Sequence, residues 1–349
     1  MSEKVKITED FIRELPKTEL HCHLDGSLRL DTILDLAEKD NVTLPTRDRD
    51  ILRKMVTVTG ESITLPEYLK MFDITLSVLQ TPEALTRAAY ELAEDASREN
   101  TLYIEARYSP ILHNEQGMTT MESVDAVLKG LRMAERDFKI KTGVIICGIR
   151  SISPEISYQL AELAVAFKNR GVVGFDLAGV EENFPAKDHR EAFNLILKNN
   201  INTTLHAGED YGPESIHQAV HYCGAHRIGH GVRLKEDGDL LNYINDHRIA
   251  LEMCLTSNVH TGSVKSYATH PFKFYFDYGL RVTLNTDNRL ISNTTLTKEY
   301  MLVHKYFNFN IRNYKEIIIS GFKSAFLPHR TRIEIIRQIA DQLDTFISV

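Results

Sequence analysis

Short apolar runs alternate along the chain with longer segments in which apolar residues recur with a helical period. The apolar runs predict strands over 18–24, 102–107, 142–147, 172–177, 202–205, 227–228, 249–253 and 281–284. The helical segments cover 83–99, 120–138, 154–169, 187–199, 214–222, 237–246, 271–277 and, in three stretches, 296–347. A brief helix over 11–15 precedes the first strand, and a helix with Asp31 at its N-cap follows that strand.

Eight strands, each followed by helical sequence, predict an α/β fold, a (β/α)8 TIM-type barrel with additional helices. The strands are continuously apolar rather than alternating, as expected when both faces are buried. The alternative is a doubly wound open sheet, which usually carries a glycine-rich phosphate loop that this sequence lacks. We therefore expect a single barrel domain over residues 1–349, with its active site at the carboxyl ends of the strands.

A polar segment interrupts the alternation after the first strand. Residues 42–64 are expected to be irregular, and 65–72 place apolar residues at 65, 68, 69 and 72 on one helical face. Such a helix either faces the core or covers a pocket, and the long preceding segment is typical of a lid-like insertion, here about 42–80.

Composition narrows the class of protein. The 349 residues are 43% hydrophobic and 26% charged, and the net charge of -7 provides no basic surface for nucleic acid. The four cysteines are scattered without a Cys-x-x-Cys pair, which argues for a reducing compartment and against a thiolate zinc site. Residues 1–14 lack an apolar signal segment, and no run approaches the ~20 apolar residues of a membrane span. We expect a soluble, cytoplasmic protein that binds no membrane.

Histidines and a carboxylate stand at the ends of the predicted strands. His21 and His23 lie one residue apart on the first strand, so their side chains point to the same side. His206 directly follows the fifth predicted strand, and Asp287 follows the eighth. Because strand ends converge on one pocket in a barrel, these side chains can surround one cation. Nitrogen and oxygen ligands without a thiolate suit zinc, or iron or cobalt in its place.

Two further residues at strand ends suggest acid–base chemistry. His230, in a Gly-His-Gly segment after the sixth strand, could hydrogen-bond a metal-bound water and take its proton. Glu209, three residues past His206, could stay protonated in a dry pocket and deliver a proton to a substrate ring nitrogen.

Each of these positions also has a structural interpretation. The two histidines of the first strand could be solvated, and the Gly-His-Gly segment could be a tight turn. Glu209 could be an acid near a helix N-terminus, and Asp287 could cap the helix that follows. These interpretations are independent of one another, whereas a metal site explains all the positions at once. The other histidines, including His113 and His270, lack a matching partner and are expected to be structural.

Seven segments resemble the signature segments of adenosine deaminases, within the amidohydrolase superfamily. They are TELHCHLDGS at 18–27, LPEYL at 65–69, EARYSP at 105–110, VGFDLAG at 173–179, HAGE at 206–209, RIGHG at 227–231 and LNTD at 284–287. The resemblance runs from about residue 11 to 347. It implies a (β/α)8 barrel, one zinc ion per chain, and hydrolytic deamination of adenosine to inosine and ammonia in purine salvage.

The resemblance also implies roles for particular residues. It makes Glu209 the acid that protonates purine N1, and His230 the residue that orients and deprotonates the zinc-bound water, which Asp287 also contacts. The implied zinc ligands are His21, His23, His206 and Asp287. The implied substrate contacts are Asp25 with the ribose hydroxyls, the Gly179 N–H with purine N3, and the covering helix residues Leu65, Tyr68, Leu69 and Phe72.

One position departs from the pattern of many family members. Where they carry a second aspartate that meets purine N7, this chain has Asn288. Because N7 is an acceptor, an aspartate must be protonated to donate to it, whereas an amide donates at any pH. Our hypothesis is that Asn288 preserves substrate binding and makes it less dependent on carboxyl protonation.

Several functions remain open at this point. Relatives acting on adenine, AMP or a modified adenosine share the metal chemistry. Asp25 resembles the nucleoside enzymes, and a phosphate-binding relative should place Arg or Lys near the pocket, for which Arg107, Arg150 and Arg289 are candidates. A metal-dependent hydrolase with another substrate would need a different proton donor. A non-catalytic purine-binding relative belongs to a different class, and the intact set of site residues argues against it.

Overall fold

The computed structural model describes residues 6–60 and 62–348, with the side chains of 346–348 left aside. Eight parallel strands follow one another in chain order around one sheet. They are β1 Lys17–His23, β2 Thr101–Tyr108, β3 Lys141–Ile149, β4 Val172–Ala178, β5 Asn202–Ala207, β6 Arg227–His230, β7 Ala250–Met253 and β8 Val282–Leu284. The predicted TIM-type barrel is confirmed.

Helices surround the strands in the described residues. They are α1 Glu9–Glu14, α2 Leu30–Lys39, α3 Arg49–Val56, α4 Leu65–Lys70, α5 Phe72–Ser77, α6 Pro82–Ser97, α7 Thr120–Asp137, α8 Pro154–Phe167, α9 Arg190–Lys198, α10 Pro213–His221, α11 Gly238–Asp246, α12 Leu255–His260, α13 Phe272–Tyr278, α14 Leu296–Phe307, α15 Ile311–Ser324 and α16 His329–Ser348. Short 3-10 turns lie at Pro110–His113, Lys168–Arg170, Ala186–His189, Leu234–Glu236 and Tyr267–Thr269. Among these described helices, none is both long and apolar enough to span a bilayer.

The barrel closes between its first and last strands at a residue three positions beyond β8. Asp287 forms a parallel β-bridge with Cys22. The His23 N–H donates to the Asp287 carbonyl at 2.7 Å, and the Asp287 N–H donates to the His21 carbonyl at 2.9 Å. Deeper in the seam, a side chain takes the place of a backbone acceptor on the neighbouring strand. There the Leu20 N–H donates to Asn285 Oδ1. The seam therefore closes at the end of the barrel that carries the predicted site.

The barrel interior contains ion pairs, so the expectation of continuously apolar strands is wrong in part. Arg227 pairs with Glu105 and Glu252, and Arg107 pairs with Asp176 and Glu252; all five side chains are buried. Buried charges persist only when they are paired and hydrogen-bonded. These acids and bases therefore act as a connected set, and two of the carboxylates continue into the site.

Three predictions about the segment after β1 need correction. Arg29, not Asp31, is the N-cap of α2, and Asp31 lies in the first turn, where it pairs with Arg49. Residues 42–64 contain α3, which begins after Asp48 because that side chain accepts hydrogen bonds from the N–H groups of Asp50 and Ile51. The helix predicted over 65–72 is divided at Met71 into α4 and α5.

Candidate active site

Four side chains converge at the carboxyl ends of the strands. The Nε2 atom of His206 lies 3.1 Å from His21 Nε2 and 3.1 Å from His23 Nε2. Asp287 Oδ1 lies 3.3 Å and 3.4 Å from those two histidine nitrogens. Atoms bound to one ion at about 2.1 Å lie roughly 3.0–3.4 Å apart, so the spacing fits a metal ion. The structure thus brings together the four residues that the sequence analysis selected as ligands.

Buried carboxylates orient two of the imidazoles. Glu252 Oε2 lies 2.9 Å from His21 Nδ1, and Asp176 Oδ2 lies 3.0 Å from His206 Nδ1. Burial alone would raise the pKa of both carboxyls, but the Arg107 guanidinium helps to hold both pKa values well below their usual range. An ionised carboxylate only accepts, so each Nδ1 carries the hydrogen and each Nε2 turns its lone pair to the centre. Sequence reasoning missed both carboxylates, although acids inside buried strands were a usable signal.

His230 and Asp287 adopt a backbone conformation that side chains rarely favour. Their φ angles are +65° and +61°. A residue other than glycine in this left-handed region costs about 1–3 kcal/mol, which the surrounding structure must offset. His230 ends β6 and Asp287 follows β8, and both line the same cavity. Both turn the chain out of a strand at the point where their side chains border that cavity.

Glu209 lies beside this centre in a setting that keeps its carboxyl protonated. Burial raises its pKa well above the usual range, and the neighbouring carboxylates of Asp287 and Glu181 raise it further. Its Oε2 lies 3.4 Å from His230 Nε2, and its Oε1 accepts a hydrogen bond from the Thr261 hydroxyl at 3.3 Å. A buried, protonated carboxyl beside a metal centre can deliver a proton to a bound ring.

Glu181 fixes the backbone that carries Glu209. Its carboxylate accepts hydrogen bonds from the N–H groups of Gly208, Glu209 and Asp210 at 2.8, 2.8 and 3.1 Å. Three donors to one carboxylate hold the chain after β5 in a single conformation. Glu181 was not selected from the sequence, because nothing in its local context links it to residues almost thirty positions later.

A cavity of about 240 Å³ opens onto three of the four converging side chains, those of His23, His206 and Asp287. Its lining includes every residue predicted to contact substrate, namely Asp25, Leu65, Tyr68, Leu69, Phe72, Gly179 and Asn288. No Lys or Arg belongs to the lining in the described part of the chain. The cavity is therefore suited to an uncharged or cationic small molecule rather than to a phosphate ester.

The helix α4 forms the outer side of the cavity and packs apart from the main core. Leu65 and Tyr68 belong to a small cluster with Val58 and Ile291, and the Tyr68 hydroxyl lies 2.7 Å from the Ser292 hydroxyl. Thus α4 rests on the loop after β8 rather than on the barrel core. That α4 acts as a lid over the cavity stays a prediction.

Asp25 lies at one end of the cavity with an unusual neighbour. Burial raises the pKa of Asp25 to about 7, and its Oδ1 has no hydrogen-bond partner among the described residues. His113 is fully buried, donates through Nδ1 to the Leu79 carbonyl at 2.9 Å, and places Nε2 3.9 Å from Asp25 Oδ2. His113 is therefore more than an isolated structural histidine, because it borders the carboxyl expected to meet ribose.

Asn288 packs directly against Gly26. A Cβ atom on Gly26 would lie 1.8 Å from Asn288 Oδ1, and that oxygen has no partner among the described residues. The glycine thus leaves the space that the amide occupies at the wall of the cavity. The signature TELHCHLDGS holds this glycine, although its contact was not evident from the sequence.

The three arginines considered for phosphate binding form ion pairs or hydrogen bonds with other groups of the protein. Arg107 pairs with carboxylates inside the barrel, and Arg289 pairs with Glu99. Arg150 donates to the His206 carbonyl at 2.5 Å and to the Phe184 carbonyl at 3.0 Å. None of these three lines the cavity.

Fold and site together define a metal-dependent barrel hydrolase of the amidohydrolase type. A family model described as adenosine deaminase matches residues 16–342. The chain belongs to the adenosine deaminase family.

Relatives and solved structures are similar over almost the whole chain. An adenosine deaminase of Clostridium botulinum is 39% identical over 332 residues, which cover 95% of this chain and 98% of that protein. A probable adenosine deaminase of Dictyostelium discoideum is 42% identical over 333 residues, which cover 95% of this chain but 43% of that longer protein.

Two crystal structures share the fold. The adenine deaminase of Arthrobacter aurescens has a TM-score of 0.89 at 23% identity and covers 95% of this chain and 99% of its own. An Arabidopsis N6-mAMP deaminase has a TM-score of 0.84 at 26% identity and covers 96% of this chain and 99% of its own. The range of substrates in these names means that the fold alone does not select one.

Proposed function

We propose that this chain catalyses the zinc-dependent hydrolytic deamination of adenosine, and of 2′-deoxyadenosine, to the corresponding inosine and ammonia in purine salvage. The single observation that carries the proposal is the position of Glu209. A buried carboxyl with a raised pKa lies 3.4 Å from His230 and next to the candidate metal ligands. Such an acid suits a reaction in which a substrate ring nitrogen must gain a proton.

The centre supports a metal-assisted attack at purine C6. Zinc held by His21, His23, His206 and Asp287 would lower the pKa of a bound water to about 7, so that hydroxide would be available as the nucleophile at neutral pH. As C6 becomes tetrahedral, electron density moves to purine N1, where Glu209 donates its proton. This interaction strengthens as the charge develops, so it favours the transition state over the bound substrate.

The cavity lining favours a nucleoside over a nucleotide or a free base. A phosphate would need a cation, and the described lining has none. Ribose hydroxyls are hydrogen-bond donors. Asp25 lines the cavity, and its Oδ1 is an acceptor without a partner among the described residues. We propose that Asp25 binds ribose hydroxyls, that the Gly179 N–H meets purine N3, and that the Asn288 amide meets N7.

The apolar side chains of α4 and α5 complete the proposed binding site. Leu65, Tyr68, Leu69 and Phe72 line the same cavity as the candidate metal ligands His23, His206 and Asp287. We propose that they cover the purine ring and exclude water from C6, which strengthens the hydrogen bonds inside the site. In this proposal the segment about 42–80 is the lid of a single domain.

The test is loss of absorbance near the adenosine maximum with zinc-loaded protein. The panel contains adenosine, 2′-deoxyadenosine, adenine, AMP and N6-methyl-AMP, with ammonia release measured in parallel. We expect turnover of the two nucleosides only. Glu209→Gln should lower kcat by about 10²–10⁴-fold, because the amide cannot donate the same proton.

The matched control is Glu214→Gln on α10, outside the cavity lining. Both variants should bind one zinc per chain, since Glu209 is not among the candidate ligands. Turnover of adenine or AMP but not adenosine would overturn the assignment of Asp25 and keep the metal chemistry. Silence of the zinc-loaded wild type on the whole panel would overturn the proposed function.

A further inference from the structure

Asn258 and His270 form a buried chain of hydrogen bonds that ends on His230. The Asn258 amide nitrogen lies 3.0 Å from His230 Nδ1, and the Asn258 Oδ1 lies 3.2 Å from His270 Nε2. At the far end, the backbone N–H of Phe272 donates to His270 Nδ1 at 3.1 Å. All three side chains are at least nine-tenths buried, so solvent does not substitute for these bonds.

The backbone N–H of Phe272 determines the direction of every hydrogen bond in this series. An N–H can only donate, so His270 Nδ1 must present a lone pair to Phe272. Burial lowers the pKa of His270 to about 3, so the ring is neutral and its single hydrogen lies on Nε2. His270 therefore donates to Asn258, and the oxygen of the amide must face it.

The orientation of the amide then determines the state of His230. With its oxygen turned to His270, Asn258 presents its NH2 group to His230 Nδ1. Nδ1 must accept, so the ring hydrogen of His230 lies on Nε2. That nitrogen faces the site, 3.4 Å from Glu209 Oε2.

We propose that Asn258 and His270 are positioning residues that hold His230 as the Nε2–H tautomer, so that His230 donates a hydrogen bond to the attacking oxygen. This role is opposite to the proton acceptor that the sequence resemblance implies for His230. The catalytic use of this tautomer rests on the proposed function, whereas the tautomer itself follows from the hydrogen bonds alone.

The near-isosteric substitution Asn258→Asp reverses the hydrogen bond between residue 258 and His230. In Asn258→Asp both side-chain oxygens accept, so His270 Nε2–H keeps its partner while the hydrogen of His230 must move to Nδ1. The amide and the carboxylate have nearly the same size, so packing around α12 is retained. If His230 acts as a donor, this variant loses the donor at the site. If His230 acts as a base, the same variant gains a free Nε2 lone pair.

The first measurement needs no substitution of Asn258 or His270. Long-range 1H–15N correlation spectra of zinc-loaded enzyme labelled with 15N-histidine distinguish protonated from unprotonated ring nitrogens, and His230→Gln assigns the His230 signals by their loss. We expect a protonated Nε2 and an unprotonated Nδ1 in His230 of the wild type. A protonated Nδ1 in the wild type would overturn the inference whatever the activity.

The second measurement uses Asn258→Asp, with Asn245→Asp on α11 as the matched control. Asn258→Asp should move the His230 hydrogen to Nδ1 and lower kcat by about 100-fold with little change in KM, while the control leaves the spectrum unchanged. A retained Nε2–H in Asn258→Asp would refute the positioning role, and a moved hydrogen with full kcat would refute the donor role. Wild-type protein inactive on every nucleoside would overturn the proposed function, and its spectrum would still decide the tautomer.

Discussion

The Ser257 hydroxyl donates a hydrogen bond of 2.6 Å to Asp287 Oδ2, which leaves Oδ1 as the oxygen nearest His21 and His23. The serine thereby selects which oxygen of the carboxylate faces the centre. Among the described residues, the Ser257 hydroxyl makes no hydrogen bond to an imidazole. Its influence on a bound ion is therefore exerted through the orientation of Asp287.

Ser257→Ala should weaken metal binding. Without the hydroxyl, the Asp287 carboxylate loses a buried donor and its fixed orientation, and loss of such a partner typically costs 10–100-fold in metal affinity or activity. Competition with a chromophoric chelator measures the zinc affinity directly. The control is Ser153→Ala, an exposed serine before α8 that makes no capping hydrogen bond. Equal zinc affinities in the two variants would contradict the orienting role.

Asn288→Asp should make nucleoside binding depend on pH. The wild-type amide donates to purine N7 at any pH, whereas a carboxyl donates only while it is protonated. We expect the affinity for purine riboside, which lacks the 6-amino group, to fall with rising pH in the variant more steeply than in the wild type. Isothermal titration from pH 5 to 8 compares the two slopes. Parallel profiles would count against the contact of Asn288 with N7.

Gly26→Ala should weaken nucleoside binding through Asn288. The new methyl group would lie 1.8 Å from Asn288 Oδ1, so the amide must move from its place at the cavity wall. Loss of one hydrogen bond in a buried site costs about 1–3 kcal/mol, which corresponds to a KM about 5–150-fold higher. The same change in an Asn288→Ala background should cost far less, because the displaced group is gone. Full additivity of the two changes would contradict this coupling.

Glu299→Gln should remove a pH dependence of folding. Burial raises the pKa of Glu299 to about 7, well above the value of about 4.3 in an unfolded chain. Between these values the folded state holds a proton that the unfolded state has released, so stability falls as pH rises from about 4.3 to 7. Urea unfolding should show the variant gaining about 1–3 kcal/mol relative to the wild type between pH 5 and 8.

The control for this experiment is Glu38→Gln, an exposed glutamate on α2. Its unfolding free energy should follow the wild type across the same pH range. A Glu299→Gln curve parallel to the wild type would mean that Glu299 is ionised in the folded protein at pH 5.

Periodicity in the sequence was sufficient to predict the barrel, because alternating apolar runs and helical faces report local burial. Their positions at predicted strand ends were also sufficient to select His21, His23, His206 and Asp287 as candidate metal ligands, and the structure brings these four side chains together. The division of 65–72 into α4 and α5 was not predictable, because the apolar positions 65, 68, 69 and 72 follow one helical face across the break at Met71.

The supporting residues were less accessible to sequence reasoning. Glu252 and Asp176 stand inside strands, and their use depends on which histidine lies across the barrel. Asn258 lies on α12 and His270 follows the turn Tyr267–Thr269, twelve residues later, so their hydrogen bond has no local pattern in the sequence. The left-handed backbone of His230 and Asp287 was not predictable either, because Asp and His enter that region more often than most residues but still only rarely.

The seam between β1 and the end of β8 sets the order of events during synthesis. The candidate ligands come from residues 21 and 23 at the beginning, 206 in the middle and 287 near the end of the chain. A nascent chain that still lacks residue 287 has neither the fourth ligand nor the bridge that joins Asp287 to Cys22. The residue that closes the barrel is therefore also the one that completes the candidate centre. A chain cut before residue 287 would therefore lack both the closed seam and one of the four candidate ligands.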